Sequence, residues 1–207
     1  MIIDPNDLTP KQMYKLLIGS VVPRPVAWTS TVNKDGLYNI APFSFFTVAS
    51  RQPPMLCISI GPGDGEREGT IKDTLINIRS QKEFVINVVS LPLANKMQKT
   101  SEEFGAAKDE FREAGLTPEK SAIVKPPRIK EAAIQMECKM EQIIPLGSDH
   151  LVIGRLLKYH IRDDLYYDNG KVDLEGLQPV GRLAGNYTVV EKLFRLPYSD
   201  LDSLGSK

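Results

Sequence analysis

Residues 26–32, Val-Ala-Trp-Thr-Ser-Thr-Val, form a strand-type run that closes on Asn33-Lys34-Asp35-Gly36 and restarts at Leu37. β-Branched and aromatic residues favour extended backbone, and an Asp-Gly step supplies the positive φ that a tight reversal needs. The pair predicts a hairpin whose return strand covers 37–40. Similar runs at 44–49, 55–60, 84–89, 134–144 and 151–161 predict further strands, and 183–190 a final one. Helical spacing is confined to Met13, Leu16 and Leu17 behind Thr9-Pro10, to 71–79, and to stretches around 93–99 and 102–114. Strands that follow one another without a helix between each pair do not build a doubly wound sheet. The pattern predicts a mainly β fold, an antiparallel barrel with additional helices, the middle helices covering one barrel end. One domain over 1–207 is expected, with an N-terminal helix within about 1–20 and a loose polar tail at 198–207.

Charge narrows the partners. Lysine plus arginine equals aspartate plus glutamate at 26 each, so no general positive field attracts nucleic acid or an anionic membrane surface. No apolar run approaches the roughly 18 residues of a spanning helix, and the acidic start Met1-Ile2-Ile3-Asp4 is unlike a signal peptide. A cytoplasmic protein is expected. Cys57 and Cys138, each inside an apolar run, suit reduced core thiols. His150 and His160 are the only histidines, too few for a His-rich metal centre.

Two segments carry chemistry. Gly61-Pro62-Gly63-Asp64-Gly65-Glu66-Arg67-Glu68-Gly69 imitates a dinucleotide fingerprint. The third glycine falls at Glu66, and Asp64, Glu66 and Glu68 would repel a phosphate, so a mobile solvent loop is expected. Just beyond it, Thr70-Ile71-Lys72-Asp73-Thr74-Leu75 opens a helix. The unpaired N–H groups and positive dipole end of such a helix favour an anion, to which Lys72 adds charge and Thr74 a hydroxyl donor. The plainer alternative makes Thr70 and Asp73 a capping pair and Lys72 a solvated residue, with Asp73 capping the helix or orienting Lys72. The second segment, Tyr38-Asn39-Ile40-Ala41-Pro42-Phe43-Ser44-Phe45-Phe46-Thr47, interleaves aromatics with small polar groups. It would suit a flat heteroaromatic ligand, although aromatic strand residues are more often core.

Five blocks in order resemble the flavin reductase-like family of FMN-binding split barrels, in its flavoredoxin-like branch. They are Pro23-Arg24-Pro25-Val26-Ala27-Trp28-Thr29-Ser30-Thr31, Asn39-Ile40-Ala41-Pro42-Phe43-Ser44-Phe45-Phe46, Pro53-Pro54-Met55, Lys72-Asp73-Thr74, and Glu83-Phe84-Val85-Ile86-Asn87-Val88-Val89. Ser148-Asp149-His150 and Arg182-Leu183-Ala184-Gly185-Asn186-Tyr187 add to the resemblance.

The resemblance implies an FMN-binding split β-barrel of antiparallel, Greek-key-like strands. It implies an NAD(P)H-dependent flavin reductase in which hydride passes from nicotinamide to FMN. The alternatives are a flavoredoxin-like carrier with permanently bound FMN and a non-catalytic split-barrel binding protein. It further implies that Trp28, Thr29, Ser30, Thr31, Asn39, Ala41, Pro42 and Ser44 line the flavin, with Lys72, Asp73 and Thr74 at its phosphate. Tyr187 either stacks near the flavin or packs the core. His150 either positions nicotinamide or is a strand histidine of no special role. A homodimer is implied, as is a monooxygenase or other electron acceptor as partner.

Overall fold

The computed structural model describes residues 1–63, 68–102, 104 and 108–194. The expected tail at 198–207 and residues 64–67 of the glycine-rich loop lie outside the described residues, as do 103 and 105–107 of the expected helix at 102–114. In chain order the elements are α1 (Pro10–Ser20), β1 (Arg24–Pro25), β2 (Ala27–Val32), β3 (Tyr38–Phe43), β4 (Phe46–Arg51) and β5 (Pro54–Ile60). Then come α2 (Asp73–Gln81), β6 (Glu83–Val88), α3 (Ala94–Lys99), α4 (Glu110–Glu113), β7 (Pro118–Glu119) and β8 (Arg128–Ile129). The chain continues with β9 (Ile134–Leu146), β10 (Asp149–Ile161), α5 (Leu174–Leu177), β11 (Val180–Arg182) and β12 (Tyr187–Val189).

Seven strands form one antiparallel sheet in the order β3-β2-β6-β9-β10-β5-β4. Its two outermost strands, β3 and β4, are consecutive in sequence and joined only by Ser44 and Phe45. Laid flat, six strand spacings of about 4.8 Å would hold them about 29 Å apart. A link of three Cα steps reaches only about 11 Å. The sheet must therefore curl until its edges meet. Pro42, which cannot donate to a ladder on its N–H side, sits in β3, an edge of this order where proline is tolerated.

Curling encloses a core of Ala27, Phe43, Ile58, Ile60, Phe84, Ile86 and Cys138, closed by Leu75 and Ile78 of α2. A Cβ on Gly154 would overlap the Phe84 ring, so the passage of β10 over that ring requires glycine. Burial pushes the Cys138 thiol up to about 12, with the nearby Glu137 charge adding to the effect, and burial also raises half-buried Cys57. Both are free thiols. The outer face of β2 carries a second core, Trp28 with Val89, Met97, Phe111 and Ile129, beneath the middle segment. Three short strands, β1-β11-β12, form a separate sheet that brings residues near 24 and 182 together.

The expected helix at 71–79 is displaced to Asp73–Gln81, and the final strand at 183–190 shortens to β12 because β11 and a turn precede it. The N-terminal helix forms with its cap as expected: Thr9 and Gln12 make a reciprocal capping box, with Pro10 in the first turn. None of its residues is buried, however, and Tyr14, Leu16 and Leu17 are exposed.

Candidate functional site: a cleft between the curled sheet and two helix ends

β3 runs along a cleft of about 360 Å³, within the usual range for a small-molecule site. Asn39, Ala41, Pro42 and Ser44 line it from the strand side. Lys72, Asp73 and Thr74 enter from the start of α2, and Tyr187 from β12. These eight residues, drawn from three distant parts of the chain, are the portion of the expected set that the fold brings together.

Trp28, Thr29, Ser30 and Thr31 are placed differently from the expectation. All four are fully buried in β2 and are not among the residues lining the cleft. Trp28 packs in the outer core and its indole Nε1–H donates to Thr100 Oγ1 at 2.8 Å. The Ser30 hydroxyl donates to the Pro127 carbonyl at 2.6 Å, and that of Thr29 to the Ala27 carbonyl at 3.2 Å. The reason is that β2 lies between the two cores, Ala27 facing one and Trp28 the other, so that both faces of the strand are covered. Their hydroxyls are spent on keeping that doubly covered strand free of unsatisfied polar groups. His150, on β10 opposite Ile60 and Pro145, is likewise not among the lining residues.

Asn39 is the hinge of a polar network. Its Oδ1 accepts from Thr31 at 3.0 Å and from Thr74 at 2.8 Å, while Thr31 accepts from Asn77 Nδ2 at 3.0 Å. Asn39 Nδ2 donates to Glu110 Oε2 at 2.8 Å, and the Ile40 backbone N–H donates to the same oxygen at 2.6 Å. The side chain is thus held from both ends, locking β3 to α2 and α4. The Thr74 hydroxyl proton, expected to serve a phosphate, is given to Asn39 instead. Thr74 therefore offers the cleft its place in the first turn of α2 more than its hydroxyl.

That first turn has an unusual start. Lys72 itself is the N-cap residue, and its side chain makes no capping hydrogen bond. Asp73 is the first helical residue, inside the cap position, and puts an acidic group in the first turn. A helix start presents the positive end of its dipole, and here a lysine stands at the cap position beside the cleft.

The model of the flavin reductase-like domain matches residues 18–174. The chain belongs to the flavin reductase-like family. An uncharacterized protein of Aquifex aeolicus is 47% identical over 177 residues, 86% of this chain and 89% of that one. Nitrilotriacetate monooxygenase component B of Bacillus cereus is 37% identical with a TM-score of 0.90, covering 95% of this chain and 98% of that one. Pseudomonas fluorescens 2-nitrobenzoate 2-nitroreductase is 32% identical with a TM-score of 0.85, covering 97% and 98%. Flavoredoxin of Desulfovibrio vulgaris shares the fold at 20% identity and a TM-score of 0.75, over 87% and 93%. The mainly β, antiparallel split barrel expected from the sequence is the observed fold.

Within this family member, sequence inspection missed several cleft residues. Arg24, Gln98, Ser101, Phe104, Glu110 and Arg182 also line it. Arg24 lies within the Pro23-to-Thr31 segment. It is buried, and its Nη1 donates to the Ile18 and Val21 carbonyls at 2.8 and 2.6 Å, its Nη2 to the Leu183 carbonyl at 2.8 Å. It pins the end of α1 to the segment after β11. Gln98 accepts from the Tyr187 hydroxyl at 3.0 Å. Among the described residues, no helix is long and apolar enough to cross a membrane.

Proposed function

We propose that this cleft binds FMN and that the chain is an NAD(P)H-dependent flavin reductase. The observation that carries the proposal is the meeting, in one cleft, of the Asn39-to-Ser44 edge of β3 with the lysine-bearing start of α2. A flavin ring asks for flat walls and a few fixed polar groups, and Ala41, Pro42, Phe43 and Tyr187 stand beside the fixed Asn39 and Ser44. A phosphate asks for backbone N–H groups and a cation, which the first turn of α2 and Lys72 provide. Bound FMN supplies the redox chemistry by accepting hydride. The chain's own residues bind it, orient it and hold the second substrate against it. Trp28 and Thr29 to Thr31 support the site from behind, through Asn39 and the packing of β2. No titrating base is needed for such a transfer.

The similar component B belongs, by its name, to a two-part monooxygenase, which supports a role here in supplying reduced flavin to a partner enzyme. A homodimer is the proposed assembly. The exposed α1 residues Tyr14, Leu16 and Leu17, with the Tyr14 ring 6.4 Å from that of exposed Phe45, offer a surface for a second copy to cover.

The test is direct. Purified protein should bind FMN stoichiometrically, with riboflavin far weaker, and should oxidise NADH or NADPH when FMN is present. FMN bound tightly without NAD(P)H oxidation would assign the chain to the carrier class instead. Absence of flavin binding would sink the redox assignment altogether.

A further inference from the structure

The cleft holds a second positive cluster besides Lys72 at the start of α2. Arg24 and Arg182 are directly opposed across the β1–β11 ladder, and both line the cleft. Directly opposed residues in an antiparallel pair project to the same face, where two like charges repel. Neither arginine forms an ion pair with a carboxylate among the described residues. Arg24 is 94% covered, at 6% exposure, and its partners are the neutral carbonyls of Ile18, Val21 and Leu183, with Ser44 Oγ at 3.5 Å. It brings an unneutralised charge to the cleft but has committed most of its donors. Arg182 is the complement: its guanidinium stacks 4.4 Å over the Tyr187 ring and makes no hydrogen bond among the described residues. Its five N–H groups remain for a ligand in a fork that matches a carboxylate or phosphate.

This cluster is separate from the start of α2. Thr74 is bonded to Asn39 at one end of β3, whereas Arg24 approaches Ser44 just past the other end. The strand from Asn39 to Phe43 alone spans about 13 Å, so one phosphate does not reach both clusters. We propose that Arg182, stacked on Tyr187 and backed by the buried charge of Arg24, is an oxyanion subsite for the second, non-flavin substrate. The substrate class is a flat molecule bearing a carboxylate or phosphate, its ring beside Tyr187 and its anion on Arg182. The inference rests on the flavin assignment for what occupies the other end of the cleft. Glu102, also on the lining, disfavours a second negative group in the same molecule.

Arg182→Gln is the variant of choice, because Arg24 also ties α1 to the closing segment and its removal threatens folding. Two matched probe pairs are titrated into the full chain by calorimetry, with and without FMN. NAD⁺ is set against 1-benzylnicotinamide, which lacks the phosphates, and benzoate is set against benzamide. Arg182→Gln should weaken one anionic probe about tenfold or more while leaving its partner within about twofold, the loss of a charge-assisted pair. The pair that responds tells whether the anion is a nucleotide phosphate or a substrate carboxylate. Arg182→Lys should recover part of the loss, keeping the charge without the fork. Equal changes for both members of each pair, or none, would overturn the subsite. So would a fall in FMN affinity with riboflavin unchanged, which would place the flavin phosphate on Arg182. A wild type that binds no flavin defeats only the flavin assignment, since the probe titrations without FMN still judge the arginine.

Discussion

Two segments among the described residues, the loop at 122–124 and the start of α2, present consecutive backbone N–H groups in different settings. In the loop 122–124, the amides of Ala122, Ile123 and Val124 donate to the Glu137 carboxylate at 2.7, 2.8 and 3.1 Å, and His160 Nε2 completes the set at 2.6 Å. Glu137 is fully buried. At the start of α2 the first turn borders a cleft, and the cap position is held by Lys72, whose side chain makes no capping hydrogen bond. The electrostatics are the same in both. In one the protein supplies the anion, and the result is a structural clamp holding the loop onto β9. In the other the helix start, with Lys72 at its cap, borders the cleft proposed above to take an anion from a ligand. What separates architecture from function here is which side furnishes the negative charge.

The largest expected effect lies on the filled side. Glu137→Ala leaves three amides and His160 without their acceptor in a buried setting, and should cost about 3–5 kcal/mol in chemical denaturation. The same clamp should be pH-dependent. Burial works to raise the Glu137 carboxyl, but the Ala122 and Ile123 amides, His160 and the Val124 amide outweigh it and hold the carboxyl below the ordinary value of 4.5. Because the folded value is depressed, this stabilisation is complete above the unfolded value and is lost as pH falls through the folded one. Unfolding free energy should therefore decline below about pH 4.5, less steeply in Glu137→Gln. Matching slopes for the two proteins would break the contrast.

The open side should respond through ligand and hardly through stability. Lys72→Ala should weaken FMN by about 1.5–3 kcal/mol, the range for a hydrogen bond to a charged group, and leave riboflavin unchanged in fluorescence titration. Equal losses for both flavins would place Lys72 away from the phosphate. The smallest effect is expected at His150, which the single chain does not bring to the cleft. His150→Ala should move FMN affinity by no more than about 0.5 kcal/mol, as for a surface change. A larger loss would show that the cleft extends to β10.

The sequence carried the strands well because their cause is local. The run at 26–32, the Asn33-to-Gly36 turn and the Thr9-Pro10 helix start each declare themselves within a few residues, and each appears where expected. The Lys72-to-Thr74 helix opening and the Asn39-to-Ser44 strand edge were legible for the same reason. The side-chain directions were not. The family resemblance implied Thr29 to Thr31 as ligand groups, and only the two cores packed on opposite faces of β2 show that the whole strand is covered. The polar partners of Asn39, the pairing of Glu137 with the loop at 122–124, and the opposition of Arg24 and Arg182 join residues far apart in the chain. Periodicity reports which residues avoid water. It does not report which distant residue they will meet, because that is settled when a two-residue link forces the sheet to close on itself and the short β1-β11-β12 sheet folds back over its edge.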